Sequence, residues 1–266
     1  MSAVADALAI DACATEIVAE SVSGGANTSH TILLPALRAL LEVVPRAARL
    51  SDYETAAIEG NVLGKETEAA RRRTLRYLRQ LYLLRPDSIL FRALRDLWSD
   101  DVEAHPLLAG LCALARDSVF RASSGAIVDA AFGEIITSAA LASAVSDRFP
   151  DSYNGATLAK IGRNTFSSWE QTGHLRHAQH ATKVRTKATC KPANVAYALM
   201  VGYLQGHRGS ALFETLWAAA LDQPKSHLVD LAFSASQRGF IEFRSAGGVV
   251  EVSFNELLRP FEGELL

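Results

Sequence analysis

The chain has three cysteines, Cys13, Cys112 and Cys190, and no two of them form a CxxC pair. That excludes a cysteine-clip metal module and a dithiol redox centre, and it fits reduced thiols inside a cell. The first twenty residues lack a basic start, and Asp6, Asp11 and Glu16 interrupt their apolar run. Neither a signal peptide nor a membrane span reads this way, so the expected compartment is the cytoplasm. Catalytic signatures are equally scarce. The GHRGS run around Arg208 lacks the lysine and the strand-to-helix setting of a phosphate loop. No serine sits in a nucleophile elbow, and no nuclease-like carboxylate pattern occurs. His174, His177 and His180, with Cys190 beyond, lie among cations on a non-helical stretch, which opposes a metal. The expectation is a protein without catalytic residues, metal or cofactor. No heptad or other dimer signature is readable.

What the chain does have is apolar mass and separated charge. Its 266 residues are 49% apolar, ample for a packed core. Between residues 154 and 192 seven basic residues, Lys160, Arg163, Arg176, Lys183, Arg185, Lys187 and Lys191, face Glu170 alone. The whole chain is −2, so the rest is markedly acidic. Charge gathered on one module of an acidic protein points to a polyanion as partner. A second basic stretch carries arginines at 71, 72, 73, 76, 79, 85, 92 and 95 against Asp87. Arg72, Arg76 and Arg79 form a stripe beside an apolar one of Leu75, Leu78 and Tyr82. Two readings of this stripe stay open: direct phosphate contact, or ion pairing with acidic N-terminal helices.

Read in order, the pattern is mainly helical. Residues 1–20 suggest a frayed or surface helix, and the Ser- and Gly-rich SVSGGANTSH reads as a linker, making residues 1–27 a flexible segment. A helix capped by Thr31 runs to Pro45, and a second starts at Ser51 on a capping box of Ser51 and Glu54. A third spans Lys65 to Leu84. Further helical runs, rich in small residues toward Phe149, complete a bundle over 28–150. From 193 to 266, helices lead into IEFRSAGGVVEVSF, which alternates about Ala246-Gly247-Gly248 as a β-hairpin does. That ending suggests a winged-helix-like unit whose wing, with Glu242 and Glu251 against Arg244, suits protein contact better than phosphate. His207 and Arg208 suit a helix C-terminal cap.

Residues 151–192 form the module of greatest interest. Short helices over Ala156–Ile161 and Thr165–Thr172, with Gly162 at the corner, outline a helix-turn-helix. Asn164, Thr165, Ser167, Ser168 and Gln171 are then the candidate groove contacts, and Phe166 and Trp169 face inward. Lys160 and Arg163 lie against the backbone. Lys183, Arg185 and Lys187 alternate with Thr182, Val184 and Thr186 as one basic face of a wing, and Arg176 and Lys191 add salt-sensitive affinity. A basic loop on a helical domain gives the same charge count. Single-strand or RNA binding through Trp169 and Phe166 requires those rings to be exposed.

Three stretches carry a family resemblance. NVLGKETEAARRRTLRYLRQLYLL, HPLLAGLCALARDSVFRASSGAIVDAAF and ATLAKIGRNTFSSWEQTGHL together resemble the BrxA family of BREX phage-defence proteins over about residues 52–175. The resemblance implies a helical, non-enzymatic accessory protein that binds double-stranded DNA in a bacterial defence locus. The addition from about Pro192 onward departs from the family's shorter members. The alternatives are a scaffold subunit that docks a larger defence enzyme through the C-terminal unit, and a winged-helix transcriptional regulator.

Overall fold

The structure, a computed structural model, describes residues 16–178 and 182–260. The helix expected over residues 1–20 lies outside the described residues as far as 15. From Glu16 onward the chain is irregular and tied down, where a flexible linker was expected. Val18 N–H donates to Ala115 O at 3.0 Å, Arg121 reaches Val18 O, and Ser118 Oγ donates to Gly24 O at 3.2 Å. Asp117 accepts from the backbone and side-chain nitrogens of Asn27 at 2.8 and 3.1 Å. Ser and Gly composition signals low helicity, and long-range hydrogen bonds supply the order that composition does not.

After the 3-10 turn Ala26–Thr28 come α1 (Leu34–Val43), α2 (Leu50–Ile58), α3 (Glu68–Tyr82), α4 (Ile89–Trp98), α5 (His105–Arg116), α6 (Ser118–Ala122) and α7 (Gly125–Val128). Strand β1 (Ile135–Ile136), α8 (Ser138–Arg148), α9 (Gly155–Gln171), β2 (Leu175–His177) and β3 (Lys183–Arg185) follow. The chain continues through α10 (Pro192–Leu204), α11 (Leu216–Ala219), α12 (Lys225–Gln237), β4 (Glu242–Ala246) and β5 (Val249–Ser253). Among the described residues the fold is mainly helical with two small antiparallel sheets, and no helix is long and apolar enough to cross a membrane.

Several helix starts are set by distant residues. Thr31 does not cap α1; Leu33 stands at that position in the left-handed region. Leu34 N–H instead donates to Gln171 Oε1 at 2.9 Å, 137 residues away. Glu16 does the same for α4, accepting from Ile89 and Leu90 N–H at 3.0 and 2.9 Å. A carboxylate there meets free donors at the positive end of the helix dipole. The capping box of α2 falls two positions late in the sequence reading, at Ser51 and Glu54 where the structure has Arg49 and Asp52. Asp52 accepts from Arg49 N–H at 2.7 Å, which frees Glu54 for Arg79.

Leu75, Leu78 and Tyr82 are buried as the apolar stripe of α3 requires. The centre of the core is α5 and α10. Every residue from Leu107 to Ala115, and all of α10 except Tyr203, is buried. Each such large aliphatic side chain contributes roughly 1.5–3 kcal/mol by leaving water. Helix α10, which opens the C-terminal stretch read as 193–266, packs on α4 and α5 as well as on α12, and a core cluster runs from Ala26 to Leu257. Arg208 donates to Tyr203 O at 2.7 Å, at the end of α10. β4 and β5 pair in register Glu242↔Ser253 to Ala246↔Val249 about Gly247 and Gly248. Those glycines have φ of 58° and 82°, which side chains adopt at a cost.

Candidate nucleic-acid interface

The two-helix outline read from residues 156 to 172 is corrected by the structure: Gly155–Gln171 is one continuous helix, α9, capped by Asn154 accepting from Thr157 N–H at 2.9 Å. Gly162 is not a corner. It is the point where α8 crosses, and a Cβ there would lie 2.2 Å from Ser138 O and 3.0 Å from Ala142 Cβ. A glycine inside a helical pattern has two physical meanings, turn or close approach, and the sequence does not separate them. The small residues read toward Phe149 are the other side of that contact.

A continuous helix changes which residues face solvent. At 100° per residue, Phe166 and Glu170 lie on one flank of α9 and Asn164, Ser168 and Gln171 on the other. The first flank receives β3: Lys183 Nζ donates to Phe166 O at 3.0 Å, pairs with Glu170 at 2.9 Å and sits 4.0 Å from the Phe166 ring centre. The second flank holds the N-terminal segment. Asn164 Nδ2 donates to Asn27 O at 2.9 Å, Ser168 Oγ to Asn27 Oδ1 at 2.7 Å, and Gln171 caps α1. Thr165 is buried and bonds back to Ile161 O. Asn164, Thr165, Ser168 and Gln171, expected as groove contacts, therefore hold the protein together.

The basic face expected on β3 points inward. Lys183 and Arg185 are 5% and 2% exposed. Arg185 forms a two-point ion pair with Asp222, donates through Nε to Ile127 O at 2.7 Å and through Nη1 to His174 O at 3.3 Å. His174 is enclosed beside this pair, its Nε2 2.9 Å from Ala220 O and its Nδ1 2.7 Å from Thr172 Oγ1. Burial pushes its pKa down to about 4, with Asp222 opposing and Arg185 reinforcing the shift. His177 is exposed on β2, and His180 lies outside the described residues. Trp169 is buried, its Nε1 donating to Ser123 Oγ at 2.9 Å, and Phe166 is 8% exposed, so neither ring is free to stack on bases.

Other expected phosphate contacts are paired with carboxylates. Lys191 pairs with Glu103 at 2.5 Å and Asp101 at 3.5 Å. Arg72 pairs with Glu68 within α3, and Arg79 with Glu54 of α2. Among the described residues Lys160, Arg163, Arg176, Lys187, Arg73 and Arg76 are exposed cations with no carboxylate in ion-pair reach.

These remaining charges have an order. Ala156, Lys160, Arg163 and Ser167 follow at helical spacing along the solvent stripe of α9, between its two covered flanks. Arg176 and His177 are exposed on β2, which pairs with β3. On the opposite flank the 3-10 turn packs against both α9 and α3. There His30 and Tyr77 lie 4.1 Å apart between ring centres, and the Arg76 guanidinium stands 5.0 Å over the Tyr77 ring. Burial, then the charges of Arg73, Lys160, Arg76 and Lys65, hold His30 below the usual imidazole range. For Tyr77, burial alone would raise the hydroxyl pKa. Hydrogen bonds from Ser29 and Arg76 and the charges of Arg76 and Lys160 outweigh it and lower it. The tertiary fold thus brings the two basic segments of the sequence together at Lys160. Sequence reasoning missed Lys65, His30 and Tyr77 and counted Arg73 only as part of the basic stretch; the Arg73, Arg76, Tyr77 spacing on one helix face was the available signal.

Comparison of the chain with protein-family models, curated proteins and solved structures finds no match.

Proposed function

We propose that this protein binds double-stranded DNA without catalysing a reaction on it, presenting the exposed stripe of α9 to a groove. The observation that carries this reading is the run of exposed Ala156, Lys160 and Arg163 and half-buried Ser167 on a solvent-facing stripe of α9, flanked by the Arg73, Arg76 cluster and by Arg176. Small residues and cations on a solvent-facing helix stripe allow close approach to phosphates.

The order of elements supports a winged-helix arrangement. Helices α6 and α7 precede β1, α8, α9, β2 and β3, and the sheet order is β1-β3-β2. In that arrangement α9 is the reading helix and the paired strands β2 and β3 belong to the wing. The module then starts near Ser118, well before residue 151. The resemblance to BrxA proteins adds an accessory role in a phage-defence locus.

Fluorescence anisotropy with a random duplex and a single strand of equal length, across a salt titration, tests the reading. Duplex binding is expected to fall with salt at a slope of about −0.9 per phosphate neutralised. Joint replacement Ala156→Glu and Arg163→Glu should abolish it, with Lys225→Gln as a control outside the face. Unchanged duplex binding by the double variant sinks the assignment.

A further inference from the structure

We infer that Ser29, His30, Arg73, Arg76, Tyr77 and Lys160 form a site for one backbone phosphate of the DNA, at the edge of the groove-facing stripe and sharing Lys160 with it. This inference rests on the DNA reading and deepens it.

Three elements build the site. The 3-10 turn and the residues after it supply Ser29 and His30, α3 supplies Arg73, Arg76 and Tyr77, and α9 supplies Lys160. Their relative placement is held by bonds remote from the site. Tyr82 Oη of α3 donates to Ile32 O at 2.5 Å, and Asn164 Nδ2 of α9 donates to Asn27 O at 2.9 Å. The donors are of the type that phosphate takes: a tilted His30–Tyr77 pair at 4.1 Å, a guanidinium over the tyrosine ring, and a hydroxyl next to Ser29. Guanidinium and ammonium groups make charge-assisted hydrogen bonds to phosphate oxygens.

The charges acting on His30 come from α3 and its leading segment (Lys65, Arg73 and Arg76) and from α9 (Lys160), all of them cations. Ser29 and Tyr77 are the polar neighbours. The charges of these four cations add to burial in opposing protonation of the imidazole, and an anion bound beside it relieves that opposition. A bound phosphate therefore raises the His30 pKa, and by linkage binding tightens as the pH falls and His30 gains its proton.

The test uses the full chain. Histidine ring signals are followed by NMR through a pH titration, with and without inorganic phosphate at constant ionic strength set by chloride. The His30 signal is identified by its loss in His30→Gln. Phosphate is expected to raise the His30 pKa by about one unit, and the shift should disappear in Arg73→Gln. In the second arm, duplex affinity should rise up to about tenfold between about pH 7.5 and about pH 5.5, and His30→Gln should flatten that rise. A His30 pKa indifferent to phosphate, together with duplex binding that Arg163→Glu still weakens, overturns the site and leaves the DNA reading in place. A shift with phosphate and no duplex binding upholds an oxyanion site that serves free phosphate, and the DNA reading falls. Loss of the shift in Arg73→Gln with native circular dichroism supports the site, because a merely unfolded variant would lose that spectrum.

Discussion

Arg185 and Asp222, 37 residues apart, meet in a two-point ion pair whose side chains are 1% and 4% exposed. The pair joins the β3 strand to the turn after α11, and Asp222 also accepts from Ala188 N–H at 3.0 Å. A guanidinium that reads as a DNA contact in the sequence is a structural bolt in the fold. Arg185→Ala leaves a buried carboxylate unpaired and should destabilise the protein by about 3–5 kcal/mol. Urea denaturation measures it; a loss below about 1 kcal/mol would show that the site relaxes to admit water.

Gly162 makes the opposite prediction from helix propensity. Alanine in a helix interior normally gains about 1 kcal/mol over glycine. Here the new methyl group meets the Ser138 carbonyl from α8. Overpacking of this kind costs about 1–3 kcal/mol, so Gly162→Ala should lower Tm. A raised Tm would place the α8 crossing elsewhere.

His174 gives the fold an acid-sensitive point. Its folded pKa, about 4, lies below the ordinary value of 6.5. The unfolded chain therefore binds the proton more readily than the folded one between those values. Stability is fully present above pH 6.5 and is lost as the pH falls toward 4, by up to about 3 kcal/mol. His174→Gln should show a flatter pH profile of unfolding free energy over that window, whatever its stability at neutral pH.

The exposed cations should divide by experiment as they divide in space. Arg163→Ala is expected to reduce the salt slope of duplex binding by about one, since it removes one phosphate contact. Arg79→Ala, whose charge is engaged by Glu54 of α2, should leave that slope unchanged and cost less than about 1 kcal/mol of stability. Equal slopes for the two variants would mean that the α9 stripe does not face the nucleic acid.

Much of the helical framework was legible because hydrophobic period and Gly or Pro punctuation are local, whereas the caps read at Thr31 and Ser51 were not the ones used. The stripe of Leu75, Leu78 and Tyr82, the stop at Pro45 and the Gly247-Gly248 hairpin all depend on neighbours within a few residues. The candidate site was legible only in part. Lys160, Arg163, Arg176 and Arg76 remain at the surface, and Lys183 and Arg185 were misread because alternation on a strand defines two faces without saying which is buried.

By itself the sequence determined that the protein is mainly helical, that its positive charge is concentrated in two segments, and that Phe166 and Trp169 belong to the interior. Tertiary structure alone decided how those charges are used. Whether an arginine meets Asp222, Glu54 or open solvent depends on residues tens of positions away. So does the joining of Arg73, Arg76 and Lys160 around His30, because the turn that holds His30 packs against both α3 and α9.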